Sequence, residues 1–146
     1  MSPAPTHRIL IVTDHTPASD ALRSEIRRRA ADDVQFRLVV LNPARAEIHL
    51  LHPERHDKAA EAEQALLAML PELGTDAGAP VIGSVSVRHD PMDAIEETIY
   101  SEPIDEILLA VSEGHLAARL HQDLPHRLAH LDLPVTRVSQ AAAHHS

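Results

Sequence analysis

No cysteine and no tryptophan occur in the 146 residues, and the aromatics amount to Phe36 and Tyr100. Without thiols there can be no disulfide, thiolate metal site or cysteine nucleophile, and the chain fits a reducing cytoplasm. Two aromatics make no stacking platform for single-stranded nucleic acid, so the core must be aliphatic and alanine-rich. No apolar run approaches the roughly 20 residues needed to span a bilayer. Residues 1–6 lack the charged and apolar pattern of a signal peptide. The expectation is a soluble cytoplasmic protein with no membrane partner.

Lysine is also nearly missing, Lys58 being the single example, a preference that genome base composition suffices to explain. Thirteen basic residues face 22 acidic ones, for a formal charge of −9, which repels a phosphate backbone and argues against nucleic acid as a partner. The run Arg27–Arg29 suits a helix C-terminus and solvation better than a nucleic-acid patch. What the chain has in excess is histidine. Protonating all twelve would carry the formal charge from −9 to +3, so the surface field should change sharply in mild acid.

A chain of this length suits one domain that buries roughly 70% of its unfolded surface. Residues 8–13 (RILIVT) form a continuous aliphatic run, as in a strand covered on both faces. Thr16 can cap a following helix with Pro17 in its first position, and Ala18, Leu22, Ile26 and Ala30 make one apolar stripe, predicting a helix over 17–31. Residues 36–41 read as a second strand, 44–57 as a long connection, and 59–70 as a helix on propensity. The glycines and prolines of 71–80 predict a loop.

A third strand is expected over 81–88. Asp90 then caps a helix with Pro91 at its first position, its buried stripe being Ala94, Ile95, Thr98 and Ile99. Residues 104–111 give a fourth strand, 122–130 a helix, 134–138 a short fifth strand, and 139–146 a flexible tail. Strands alternating with helices require a mostly parallel sheet with right-handed crossovers. The domain should span 7–138.

In such sheets ligands bind at the carboxyl ends of strands where the strand order reverses. With the first strand central, that crevice joins Asp14, His15 and Thr16 to Ser112, Glu113, Gly114, His115, Arg119 and His121. The mixture suits a polar ligand, Asp14 accepting hydrogen bonds and Arg119 facing an anion. It reads equally as ordinary polar loop.

Several chemistries lack their residues. His49, His52 and His56 are spaced for one helix face, but Pro53 interrupts it, and neither they nor His126 and His130 belong to a His-Glu-x-x-His pattern. Neither a G-x-S-x-G elbow nor a P-loop occurs. A phosphoacceptor receiver would need an acidic pair after the first strand and a lysine at the fifth, where Asp14 stands alone and Arg137 replaces lysine. No metal and no catalytic residue are expected.

From Arg8 to Val138 the chain resembles the universal stress protein family. The likeness rests on the first strand ending in Asp14 and on 85–95 (VSVRHDPMDAI), similar to that family's third strand and next helix start. It rests equally on 105–110 (DEILLA) and 133–138 (LPVTRV), which resemble its last two strands. The resemblance implies a doubly wound five-stranded parallel sheet in the order 3-2-1-4-5, helices on both faces, and a homodimer paired through the last strand. In the ATP-binding branch, an aspartate after the first strand meets the adenine nucleoside. A loop G-x-x-G, followed nine residues later by G-S or G-T, cradles the phosphates.

Asp14 matches the first element, with Thr13 beside it, but the loop does not match. Residues 110–122 (AVSEGHLAARLHQ) keep Gly114 alone, and the terminal Gly-Ser pair falls on His121 and Gln122. Side chains there obstruct backbone amides from reaching a phosphate, and Glu113 repels an anion. The candidate nucleotide or anion crevice is therefore Thr13, Asp14, Gly114, Arg119 and His121. The resemblance and the altered loop together imply a regulatory or scaffold module without catalysis and with weak or lost ATP binding. The alternative is an adenine-nucleotide-binding stress protein that senses ATP or hydrolyses it slowly. ATP is the one cofactor the resemblance offers, and Arg119 with a protonated histidine could hold another anion.

Overall fold

The computed structural model describes residues 7–14, 18–41, 54–86, 91–111, 120, 126 and 133–138, with the backbone alone for 54–61 and 91. Within them the chain runs β1 (His7–Thr13), α1 (Asp20–Arg29), β2 (Val34–Val40), α2 (Glu54–Ala77), β3 (Ile82–Val85), α3 (Pro91–Ser101), β4 (Glu106–Ala110) and β5 (Val135–Arg137). Leu120 and His126 are also helical. The expected tail, 139–146, lies outside the described residues.

All strand pairs are parallel, in the order β3-β2-β1-β4-β5. The aliphatic runs dictate this arrangement. β1 is buried from Ile9 to Thr13 and β4 throughout, as central parallel strands covered on both faces must be. Alternation then divides the core in two. Ile9, Ile11, Leu38 and Leu108 meet Leu22 and Ile26 of α1 and Leu66, Met69 and Leu73 of α2. Leu10, Val12, Val39, Ile107 and Leu109 meet Met92 and Ile95 of α3. Full burial of Leu22 or Ile26 contributes roughly 2 kcal/mol each.

Several expected boundaries are corrected: α2 begins at Glu54, within the expected connection 44–57, and the strands expected over 81–88 and 104–111 are shorter, at Ile82–Val85 and Glu106–Ala110. Helix α1 begins at Asp20, not at residue 17, because Ser19 and not Thr16 is the N-cap: its hydroxyl accepts from the Leu22 amide at 3.1 Å. Helix α2 does not stop before Pro71; it runs to Ala77 with the proline inside it. A proline frees the carbonyl four residues earlier. Here both Pro71 and Leu67 lie on the exposed side, so water can serve that carbonyl. The helix ends instead at Gly78, whose φ of 74° is left-handed and whose amide donates to the Gly74 carbonyl at 2.9 Å.

What holds the extra turns is Asp76. Its carboxylate is buried against α1, where Arg23 Nε donates at 2.8 Å and Arg27 Nη1 at 2.8 Å. Arg28 and Arg29 pair with Glu25, and Arg29 also reaches Glu106, whose carboxylate accepts from His7 Nε2 at 2.9 Å. The basic run Arg27–Arg29 therefore faces carboxylates of its own chain. All three stand in the last turn of α1, as expected; Arg28 is exposed and pairs within the helix, while Arg27 and Arg29 also reach Asp76 and Glu106.

Candidate functional site

The order β3-β2-β1-β4-β5 puts the reversal of strand order between β1 and β4. Thr13 closes β1 opposite Ala110 at the end of β4. Both residues are fully buried, and Asp14, just beyond, is 5% exposed. Burying a carboxylate at a strand end demands polar company, and Asp14 is engaged by its surroundings. Thr13 differs. Its carbonyl accepts from the Leu41 amide at 2.8 Å, but its Oγ1 is the one buried side-chain polar atom of the described residues with no hydrogen-bond partner.

A buried hydroxyl without a partner costs about 1–3 kcal/mol, so its place at the switch point is informative. It sits where the fold presents ligands. Thr13 and Asp14 stand together at the end of β1, on one side of the expected crevice. Gly114, Arg119 and His121, expected on the other lip, lie outside the described residues, as do His15, Thr16, Ser112, Glu113 and His115. Among the residues described, no three histidine or acidic side chains converge as metal ligands. His126 is exposed; His49, His52 and His130 and the side chain of His56 lie outside the described residues.

The fit to a nucleoside triphosphate divides in two. A buried aspartate and an unsatisfied hydroxyl suit the many donors and acceptors of a nucleoside. The phosphate end needs glycine. The chain has four glycines, and Gly74, Gly78 and Gly83 are committed to the end of α2 and to β3, leaving Gly114 alone for the loop after β4.

Sequence reasoning missed a second polar recess, on the α3 face over β2 and β3. It is built on Arg37, whose Nε donates to both Glu102 oxygens at 3.1 and 3.0 Å and whose Nη2 donates to Ser84 Oγ at 3.0 Å. The available signal was an arginine inside an apolar strand, between Phe36 and Leu38.

Neither the protein-family models nor the curated proteins contain a match to this chain. Among solved structures it is similar to a universal stress protein from Archaeoglobus fulgidus, at 17% identity and a TM-score of 0.58, over 89% of this chain and 93% of that one. This likeness establishes the universal-stress-protein-like α/β fold. Among the described residues no helix is long and apolar enough to cross a membrane.

Proposed function

We propose that the chain is a regulatory or scaffold module built on this fold, without catalysis, which has lost tight ATP binding. The observation that carries the reading is the glycine distribution: one glycine is left for a loop that needs several to wrap phosphates with backbone amides. A second reading, a protein that still senses an adenine nucleotide through its nucleoside, draws on the unpartnered Thr13 hydroxyl beside buried Asp14. We further propose a homodimer paired along β5, an edge strand of the sheet.

Calorimetric titration with magnesium ATP and with adenosine, at pH 6 and pH 8, tests these readings. The first predicts no micromolar ATP binding at pH 8, where unperturbed histidines are neutral. Micromolar affinity there overturns it. Equal affinities for adenosine and ATP support the second reading, in which the phosphates go unrecognised. Binding of ATP only at pH 6 assigns the crevice to anions held by protonated histidine.

A further inference from the structure

The sheet order leaves β3 at one end, opposite β5. The Ser86 amide donates to the Val40 carbonyl at 2.9 Å, so backbone alternation turns the polar groups of Ser84 and Ser86 toward β2. The amides and carbonyls of Gly83 and Val85 therefore point outward, and among the described residues no strand meets them. Natural sheets commonly blunt such an edge with charged side chains. Here residues 79–86 (APVIGSVS) carry none.

Apolar surface borders this edge on both faces of the sheet. Gly83 faces α2, beneath Leu66 and Leu70. On that side a groove of about 480 Å³ runs between α2 and the chain entering β3, walled by Leu70, Pro71, Gly74, Pro80 and Val81, with no charged side chain in its lining. Thr75, the one polar side chain there, donates its hydroxyl proton to the Pro71 carbonyl at 3.0 Å. Leu67, one turn before Pro71, continues the groove along α2 and is 65% exposed. Pro71 also denies the Leu67 carbonyl its helical donor, which leaves a backbone acceptor at that exposed position. On the other face alternation places Ile82, 55% exposed. Among the described residues Tyr100 is the one other large apolar side chain so exposed.

Unpaired donors and acceptors in a row select an extended backbone, which neither a helix nor a small molecule matches. The four residues of β3 span about 13 Å, room for a segment of about five residues. A second copy is a poor occupant on two counts. A stable dimer joins roughly 20–30 residues a side, far more than this edge and groove supply. Two chains of formal charge −9 also repel wherever they meet beyond the uncharged strip. A cationic segment is drawn in by that same field, and its N–H groups find an acceptor in the Leu67 carbonyl. We propose that the β3 edge docks an extended segment of a partner protein, with apolar side chains at alternate positions against the α2 groove and lysine or arginine at its ends. The edge is separate from the switch-point crevice and from β5, so it stands whatever either of those binds.

The test is amide hydrogen exchange of the full chain at neutral pH, read residue by residue by NMR. The probe is a short capped peptide of alternating valine and threonine with lysine at each end. It is run beside the same peptide ended in glutamate, and beside one with alternate amides N-methylated. With the lysine-ended peptide the Gly83 and Val85 amides should slow saturably, by about tenfold or more, while Ser84 and Ser86, already bonded to β2, change little. Neither control should do this. Leu67→Gln, at an exposed position, should weaken the peptide about tenfold, the scale of a leucine's lost burial. Val85→Pro removes one outward donor, spares the inner ladder and should abolish binding. Should that variant fail to fold, Leu67→Gln decides the matter. An unchanged affinity in Leu67→Gln, no slowing at Gly83 and Val85, or equal slowing by the glutamate-ended peptide would overturn the proposal. So would slowing that grows with protein concentration in the absence of peptide, as a second copy would give.

Discussion

Arg23 and Asp76, 53 residues apart in sequence, meet with the guanidinium Nε 2.8 Å from Oδ2, and this contact ties α1 to the end of α2. The Asp76 side chain is 3% exposed. Replacing it with alanine should destabilise the fold by about 1–2 kcal/mol, the partly exposed arginines limiting the loss. Chemical denaturation of Asp76→Ala against the parent reads this directly. A loss under about 0.3 kcal/mol, the scale of a surface substitution, would show that the extra turns of α2 stand without the clamp.

Acid should act through the same carboxylates. Burial pushes the Asp76 carboxyl up, but hydrogen bonds from Arg23 and Arg27 outweigh it and hold the group below its ordinary value. Hydrogen bonds from Arg28 and Arg29 do the same for Glu25. A carboxyl depressed in the folded state contributes stability that is fully present above its unfolded value, roughly pH 4, and is lost as pH falls through the lower folded value. Thermal melts from pH 6 down to pH 2 should show the midpoint dropping below about pH 4. In Asp76→Asn that drop should be shallower, from a lower starting point.

Gly83 in β3 lies directly beneath α2. A Cβ built there would come within 2.7 Å of Leu66 Cδ1 and 2.8 Å of Leu70 Cδ2. Both are the ends of flexible side chains, so Gly83→Ala should cost about 1 kcal/mol and Gly83→Val more. Combining Gly83→Ala with Leu70→Ala should be less destabilising than the sum of the two changes. Additive losses in a denaturation series would place the strain elsewhere.

Glu106 opens β4 as a nearly buried carboxylate held by His7 and Arg29. Glu106→Gln keeps its shape and removes its charge, and should lower stability by about 1 kcal/mol. In a double-mutant cycle with Arg29→Met the two changes should couple, because each leaves the other's partner behind. Independent effects would mean that the pair contributes nothing measurable.

Pairing along β5 can be probed without dismantling the monomer. The Pro134 carbonyl and the Val138 amide bond to β4, so alternation turns the amide of Val135 to the outer edge. Val135→Pro removes that donor and leaves the inner ladder in place. Sedimentation at several concentrations should show a dimer for the parent and a monomer for the variant. A dimer that survives the proline is paired through another surface.

The parallel sheet was legible because it follows from alternation, whereas its order came from the family resemblance. Buried aliphatic runs separated by helical stretches admit few parallel topologies. What sequence could not supply was the outcome of contests between local signals and distant contacts. Thr16-Pro17 and Ser19-Asp20 are both good helix starts, and the structure uses the second. Pro71 and Gly74 read locally as a loop, and two arginines from α1 overrule them by holding Asp76. That β1 ends at Thr13, with Asp14 next, was legible because a buried strand must end somewhere polar. The pairing of Arg37 with Glu102 spans 65 residues and has no local trace.

The ion pairs described at Glu25, Asp76, Glu102 and Glu106 are made by arginine, with one contribution from His7, and the chain holds a single lysine. Reagents or enzymes that acylate lysine amines therefore find one side chain, Lys58, and leave every one of these tethers intact. Lysine acetylation cannot loosen the fold through these bonds. Chemistry directed at guanidinium groups would strike the clamp on Asp76, the wall around Glu106 and the floor of the α3 recess together.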